Sequence, residues 1–195
     1  MHKTIQNLIN VKNLIKSKLS DLKHIDRPIK IIAVSKTFKL EHIHPLINYG
    51  HIDFGENKVQ EAVEKWTEIK KNNNNLKIHL VGKLQTNKVK NAIKLFDFIH
   101  SLDSEKLAIK ISEEQSKIKV KPKLFIQINI GNEAQKGGIK VDELEEFYKY
   151  CLKLELDIIG TMCLPPINDD PEIYFLRMNF LNKKLNLKEL SMGMS

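Results

Sequence analysis

The chain has 195 residues, 42% hydrophobic and 29% charged, so it can bury one core and is neither disordered nor fibrous. Its formal charge is +8, yet only Arg27 and Arg177 of its 32 basic residues are arginine, the side chain best suited to clamp phosphates and read bases. We therefore predict a solvated lysine-rich surface and no specific nucleic-acid site.

The predicted elements alternate between helices and short β-branched strands. Residues 1–24 form an amphipathic helix without the unbroken apolar core of a secretory signal. The later helices are predicted at 39–49, 59–70, 85–95, 104–116 (capped by Asp103 and Ser104), 142–152 and 171–184. The strands are predicted at 30–35, 51–55, 77–82, 96–101, 123–130, 156–162 and 188–195.

Seven βα alternations with nearly continuous apolar strands predict an α/β fold with a parallel sheet covered by helices. An open doubly wound sheet and a (β/α)8 TIM-barrel-like fold both fit this pattern. No GxGxxG follows the first strand, and polar motifs recur after strand upon strand, so the barrel is favoured. We predict one domain over 1–195, with helix 1–24 packing on the barrel and about seven of the eight units present.

The compartment is predicted from the cysteines and the absence of membrane segments. Cys151 and Cys163 are the only cysteines and lack CxxC spacing, which is typical of two buried thiols in a reducing compartment. No apolar stretch approaches the length of about 18 residues that a membrane helix needs. The chain is predicted to be cytoplasmic and not membrane-bound.

Lys36 is the first candidate for chemistry, because it ends the apolar run of the first predicted strand. A partly desolvated lysine amine is favoured in its neutral form, which attacks aldehydes. The alternative is an ordinary strand-end lysine whose ammonium reaches solvent. Position alone favours this alternative in so lysine-rich a chain.

Other polar residues follow later strands. Asn57 suits a ligand contact or the N-cap of the next helix, and His79 suits either a satisfied interior histidine or a position facing a ligand. The segment 82–88 is rich in donors for an anion, although capping by Thr86 and Asn87 explains it equally well.

Three further segments lie at the same predicted edge of the sheet. Asn129 and the glycine-bearing loop 131–138 indicate a tight turn near the barrel mouth. Met162 and the segment 191–195 could supply an apolar wall and small hydroxyls for a phosphate. Each signal is weak alone, and only their clustering on one face indicates a site.

Seven motifs, in order, resemble the YggS/PROSC family of pyridoxal phosphate homeostasis proteins, which share the barrel fold of the alanine racemase N-terminal domain. They are AVSKT (33–37), FGEN with VQE (54–61), HLVGKLQTNK (79–88), IHSLD (99–103), QIN with E-x-x-K-x-G-I (127–139), GTM-x-x-P (160–165) and LSMGMS (190–195).

The resemblance implies a barrel that binds pyridoxal 5′-phosphate as a Schiff base on Lys36. It implies a monomeric carrier or regulator of the cofactor with no established reaction, serving vitamin B6 homeostasis, with pyridoxal-phosphate-dependent apo-enzymes as candidate recipients. Ser191 and the Gly193 backbone resemble part of the phosphate cradle. By motif matching, the cofactor-binding positions are Lys36, Asn57, His79, Met162, Ser191 and Gly193.

The family pattern continues after SMGMS with a helix and a last strand of the form G-x-T-x-V-R-x-G-x-x-I-F-G, which these 195 residues lack. The expectation is therefore a barrel with its last βα unit missing and a weakened phosphate cradle. Two alternatives remain open. One is an amino-acid racemase or lyase that uses the same cofactor, with His79 as the weakly nominated base, and the other is a truncated remnant that binds little.

Overall fold

A computed structural model of the chain describes residues 1–21 and 29–193. Seven parallel strands form one sheet in the order of the sequence: β1 (Ala33–Val34), β2 (Asp53–Glu56), β3 (Lys77–Leu80), β4 (Phe98–Leu102), β5 (Lys123–Gln127), β6 (Ile158–Cys163) and β7 (Glu189–Met192). The helices are α1 (Lys3–Asp21), α2 (Leu40–Asn48), α3 (Val59–Asn72), α4 (Val89–Leu95), α5 (Glu105–Ile118), α6 (Leu144–Lys153) and α7 (Pro171–Lys184). A 3₁₀ turn (Thr86–Lys88) precedes α4.

The strand order decides between the two predicted architectures. A doubly wound sheet reverses its strand order at a switch point, whereas here each described strand pairs with its neighbours in sequence. The sheet is also curled, as is evident from the hydroxyl of Ser191 on β7, which lies 2.7 Å from the ring of His100 on β4. The barrel-like α/β fold is therefore confirmed, as a curled sheet of seven strands.

The main core lies between the convex face of the sheet and the helices. Alternation along each strand turns one set of apolar side chains towards the helices. Trp66 on α3 is fully buried there against Phe54 of β2, with ring centroids 4.9 Å apart. Each fully buried side chain of this kind contributes about 1.5–3 kcal/mol. The strand residues of this layer include Phe54, Ile78, Leu80, Ile99, Leu124 and Ile126, all with no exposed surface.

Several predicted element bounds were wrong. The first strand, predicted at 30–35, is observed as β1 only over Ala33–Val34, which pair with Phe54 and Gly55 of β2. Ser104 occupies the N-cap of α5, but its hydroxyl bonds to Asp103 Oδ1 at 3.2 Å and not to the helix backbone. Helix 1–24 is observed as α1, and its predicted last residues 22–24 lie outside the described part of the chain.

Cys151 and Cys163 are both free and buried, as predicted. Burial raises the pKa of the Cys151 thiol to about 12 and that of Cys163 to about 11, so neither is a reactive thiolate at neutral pH. Among residues 1–21 and 29–193, no helix combines the length and apolar character needed to cross a bilayer.

Gly160 sits where β6 and β7 approach most closely. A Cβ built there would collide with the backbone of Glu189, the residue it pairs with. We expect Gly160→Ala to destabilise the fold by about 1–3 kcal/mol, because the two backbones must separate. Urea unfolding measures this, with Gly193→Ala as the control since an added Cβ there meets nothing within 4 Å. Equal stability of the two variants would contradict the packing argument.

Candidate functional site

Lys36 lies just beyond the end of β1, where the chain turns towards α2. Ser35 still continues the ladder, since its N–H donates to the Gly55 carbonyl at 2.8 Å. Thr37 adopts the left-handed conformation with φ of 63°, and its N–H donates to Glu61 Oε1 at 2.7 Å. Lys36 itself is half-buried and makes no hydrogen bond or ion pair with any described residue. The backbone on both sides of Lys36 is therefore fixed by hydrogen bonds, while its amine has no partner among the described residues.

A buried cluster on the helix side fixes the backbone before Lys36. Glu56 Oε1 accepts from the Ser35 hydroxyl at 2.8 Å, from Trp66 Nε1 at 2.9 Å and from Lys65 Nζ at 3.0 Å. Lys65 also donates to the Ser35 carbonyl at 2.9 Å. We call Ser35, Glu56, Lys65 and Trp66 the strand-end cluster. Because the Ser35 side chain points towards α3, alternation directs Lys36 to the opposite, concave face.

Glu61 adds a second tie between α3 and the lysine turn. Its carboxylate lies 3.1 Å from Lys65 Nζ and accepts the Thr37 N–H. The Thr37 N–H, followed by the ammonium of Lys65, outweighs partial burial and lowers the pKa of Glu61. Both residues that flank Lys36 are thus bonded to side chains of α3 or β2, so the lysine cannot drift away from the barrel mouth.

Asn57 follows β2 and is half-buried. The alternative in which it caps α3 is wrong, because Lys58 occupies the N-cap position. The Asn57 side chain makes no hydrogen bond with the described residues, so its amide is available to a ligand. A Cβ at Gly82 would collide with the Asn57 backbone, so glycine is required for the loop after β3 to pass so closely.

The donor-rich loops have mainly local roles. Neither the 3₁₀ turn nor α4 has a side-chain cap, so the predicted capping by Thr86 and Asn87 is wrong. Asn129 closes its own loop, donating to the Glu133 carbonyl at 2.9 Å and accepting from the Glu133 N–H at 3.1 Å. Lys136 crosses from that loop to the carbonyl of Pro165 at 3.0 Å.

Met162 and Ser191 form the wall opposite β1. They pair with each other across β6 and β7, and Met162 also pairs with Gln127 of β5. Met162 is buried, whereas Ser191 is half-buried. Gly193 is exposed just beyond β7, and an added Cβ there would meet nothing within 4 Å. A small hydroxyl and a free backbone segment thus lie together at this edge.

A chain of polar side chains crosses the concave interior, and we call it the interior relay: Asp53, His79, His100 and Ser191. Asp53 Oδ1 lies 3.0 Å from His79 Nε2. His79 Nδ1 lies 3.0 Å from His100 Nε2, and His100 Nδ1 lies 2.7 Å from Ser191 Oγ. The two rings are stacked on Phe98 and Phe125, each with centroids 4.3 Å apart. The relay thus connects the base of β2 to the Ser191 wall.

Burial governs protonation in the relay. It lowers the pKa of His100 to about 3, with the neighbouring His79 and Lys30 adding to the effect. It also lowers the pKa of His79 despite the hydrogen bond that His79 donates to Asp53. For Asp53, burial alone would raise the pKa, but the hydrogen bond and charge of His79 with nearby cations lower it overall. At neutral pH the relay is therefore one carboxylate and two neutral imidazoles.

This state predicts acid sensitivity. The pKa of His100 falls from 6.5 to about 3 on folding, so the unfolded chain binds more protons between those values. Above pH 6.5 the shifted pKa of His100 leaves the free energy of unfolding unchanged. As the pH falls from 6.5 towards 3, it lowers the free energy of unfolding progressively. One such histidine gives a slope of up to about 1.4 kcal/mol per pH unit.

Urea unfolding at several pH values between about 7.5 and 4.5 measures that slope. We expect His100→Gln to flatten it relative to the unchanged chain, whereas His42→Gln, on the exposed side of α2, keeps it. A slope that is equally steep in His100→Gln would show that the relay does not carry the acid sensitivity.

Sequence reasoning missed Asp53 and His100, which join two of the predicted site residues. His79 and Ser191 do not touch each other; His100 lies between them. The available signal was alternation, since His79 and His100 each follow an aromatic or apolar neighbour in adjacent strands and point to one face. Asp53 carried no such signal, because nothing in its strand distinguishes a buried carboxylate from a strand-end one.

The chain is similar to known proteins in both sequence and structure. The family described as alanine racemase, N-terminal domain, matches residues 12–195. The pyridoxal phosphate homeostasis protein of Aquifex aeolicus is 36% identical over 176 residues, covering 85% of this chain and 76% of that protein. The one of Pasteurella multocida is 34% identical over 201 residues, covering 97% and 86%. This chain belongs to the pyridoxal phosphate homeostasis protein family.

Solved structures agree with the family. The structure of PipY from Synechococcus elongatus with pyridoxal phosphate bound has a TM-score of 0.77 and 31% identity, over 92% of this chain and 88% of that one. An alanine racemase from Clostridium difficile has a TM-score of 0.72 at 20% identity, over 98% of this chain and 50% of that enzyme, and so shares the fold. The family resemblance predicted from the motifs is confirmed.

Proposed function

We propose that this chain binds pyridoxal 5′-phosphate, as a Schiff base on Lys36, and takes part in the intracellular homeostasis of the cofactor. The observation that carries the proposal is Lys36 itself, a half-buried amine at the barrel mouth with no hydrogen-bond or ion-pair partner among the described residues. The relatives named as pyridoxal phosphate homeostasis proteins and the cofactor-bound PipY structure support it.

The described residues fit the parts of such a ligand. Bound cofactor supplies an aldehyde for a lysine amine and a phosphate ester for hydrogen-bond donors. Lys36 supplies the amine, and the unpartnered amide of Asn57 lies at the neighbouring strand end. Ser191 and the backbone after it suit the phosphate, with Met162 as the apolar wall between them. His79 does not contact Ser191 directly but is linked to it through its hydrogen bond with His100.

We propose a carrier or regulator and not an enzyme. A racemase or lyase needs a second acid or base opposite the lysine that is free to reach the substrate. The weak nominee, His79, is 2% exposed and bonded at both nitrogens, to Asp53 and to His100. Deuterium exchange at Cα of alanine or serine tests this. Exchange faster than free cofactor alone produces would overturn the carrier proposal in favour of the enzyme.

The cellular setting follows from the same proposal. We propose that residues 1–195 work as one cytoplasmic domain with helix 1–24 on the barrel, as a monomer with no specific nucleic-acid or membrane partner. The two buried free thiols and the scarcity of arginine support this setting. Pyridoxal-phosphate-dependent apo-enzymes are the proposed recipients.

Titration of the purified chain with pyridoxal 5′-phosphate tests the proposal. We expect a saturable visible absorbance band, and borohydride reduction followed by peptide mapping should place the label on Lys36. A thermal melt with and without cofactor separates a competent protein from a weakly binding remnant, because a ligand that binds only the folded state raises the midpoint. A label spread over surface lysines, without a shift in the midpoint, would contradict the proposal.

A further inference from the structure

The interior relay is bonded from end to end. Its three buried members, Asp53, His79 and His100, are 6%, 2% and 1% exposed, and it ends at the half-buried hydroxyl of Ser191. Every link is between 2.7 and 3.0 Å. Because each link needs one hydrogen between its two heavy atoms, the direction of the whole chain is set by its first member.

Asp53 sets that direction. An ionised carboxylate only accepts, so His79 must carry its hydrogen on Nε2 and, when neutral, accept at Nδ1. His100 must then donate from Nε2 and accept at Nδ1. The single hydroxyl proton of Ser191 is consequently donated inward to His100. While both imidazoles are neutral, Ser191 offers only lone pairs to the barrel mouth and cannot donate to a phosphate.

One added proton reverses the chain. If His79 becomes an imidazolium, it donates from Nε2 to Asp53 and from Nδ1 to His100. His100 then accepts at Nε2 and donates from Nδ1 to Ser191, whose own proton is free to turn towards the mouth. The balance is one proton gained by the relay, with only hydrogens moving. The imidazolium rests beside the Asp53 carboxylate, at 3.0 Å.

We propose that a phosphate ester dianion bound by Ser191 draws one proton into the interior relay, so that anion binding and relay protonation are coupled. The inference rests on the proposed function, because it takes Ser191 as a phosphate donor. It extends that function by making the buried pair Asp53 and His79, which are 6% and 2% exposed, positioning residues for the anion.

Burial, followed by the surrounding charges, explains why both imidazoles of the relay are neutral without an anion. Lys30 disfavours a positive charge on either ring, and its ammonium lies 5.3 Å from the centroid of Phe98, which stacks on His79. His51 bonds the Asp53 carbonyl at 2.9 Å and is itself disfavoured as a cation by burial and Lys12. Among the described residues, other charged groups on or beside this face are Lys36 after β1, Lys77 on β3, Asp97 before β4, Lys123 on β5 and Glu189 on β7, while β6 supplies none.

The probe for the test is pyridoxine 5′-phosphate, an alcohol that cannot form a Schiff base with Lys36. At about pH 8 its phosphate is a dianion, since the second pKa of a phosphate monoester is about 6. Nitrogen-15 NMR of the histidine rings reports which nitrogen carries hydrogen. In the free chain we expect His79 and His100 to be neutral with hydrogen on Nε2. With the probe bound, His79 should become an imidazolium and the hydrogen of His100 should move to Nδ1.

Calorimetry in buffers of different ionisation enthalpy counts the proton. We expect the chain to take up about one proton per bound probe, and the affinity for the dianion to fall by up to about tenfold per pH unit above pH 8. His79→Gln should bind with no proton uptake and no such pH dependence. His42→Gln, remote on the exposed side of α2, should behave like the unchanged chain.

The outcomes are separable. Binding of the probe without proton uptake, or a free chain whose His100 already carries hydrogen on Nδ1, overturns the coupling and leaves the proposed function standing. Failure of both pyridoxine phosphate and pyridoxal phosphate to bind overturns the proposed function and the coupling with it. The NMR result on the unchanged chain decides the question even if His79→Gln does not fold.

Discussion

Replacing Lys36 by alanine is expected to abolish the visible absorbance band that pyridoxal 5′-phosphate gives with this chain and to remove the borohydride-trapped label. The amine is the only group of this site able to bond covalently to the aldehyde. We expect the affinity for the cofactor to fall by at least about tenfold, equal to about 1.4 kcal/mol, leaving the contacts of the phosphate and ring. Absorbance titration and equilibrium dialysis measure both effects.

Two controls sharpen that result. Lys39→Ala removes an exposed lysine three residues away, whose side chain caps nothing in α2, and should bind as the unchanged chain does. Lys36→Arg keeps the positive charge but cannot form the Schiff base, so it separates covalent attachment from electrostatic attraction. Because Lys36 has no partner among the described residues, its loss should cost little stability. A Lys36→Ala chain that keeps the band and the affinity would exclude Lys36 as the attachment point.

The second large effect is expected at Glu56, which has no exposed surface. Its Oε1 accepts from three donors, and its nearest cation, Lys65, has a side chain only 10% exposed. Glu56→Met keeps the volume but leaves the Lys65 ammonium without that buried carboxylate. We expect a loss of about 3–5 kcal/mol in the free energy of unfolding, measured in urea.

A graded series tests the cause. Glu56→Gln retains one acceptor oxygen for the three donors and replaces the charged carboxylate by a neutral amide, so it should cost less than Glu56→Met. The double variant Glu56→Met with Lys65→Met removes both charges and should recover part of the loss. Glu68→Met on the exposed pair with Lys71 should change stability by less than about 1 kcal/mol. If Glu56→Met costs no more than Glu68→Met, the strand-end cluster does not stabilise the fold.

The cluster also links stability to the site. Ser35 and Thr37 flank Lys36, and each is bonded to a carboxylate anchored on β2 or α3. We therefore expect Glu56→Gln, if it folds, to weaken cofactor binding although Glu56 lies on the helix side of the sheet. The reason is that the turn carrying Lys36 loses part of the hydrogen bonding that fixes it. This second effect has the same physical origin as the first.

Most elements could be predicted from local pattern. The core of β6 follows from its apolar run. The start of α7 follows from residue type, since Asp170 caps the helix by accepting from the Glu172 N–H and Pro171 stands in its first turn. The wrong predictions concerned the ends of helices and strands. The extent of the first strand depends on which partner backbone lies alongside, and a propensity cannot supply that information. The cap of α5 failed because the Ser104 hydroxyl bonds to Asp103 instead of to the helix backbone.

By itself, the sequence determined the family, because ordered motifs are local features, and it nominated Lys36 as the attachment lysine. It left two sheet architectures open, and only the strand order and curl of the folded chain chose between them. The same curl made the interior relay, since Asp53, His79, His100 and Ser191 come from four strands. Hydrogen bonds between residues so distant in sequence form only when the sheet curls and brings their strands together. Tertiary structure alone therefore revealed the interior relay that connects Ser191 to Asp53.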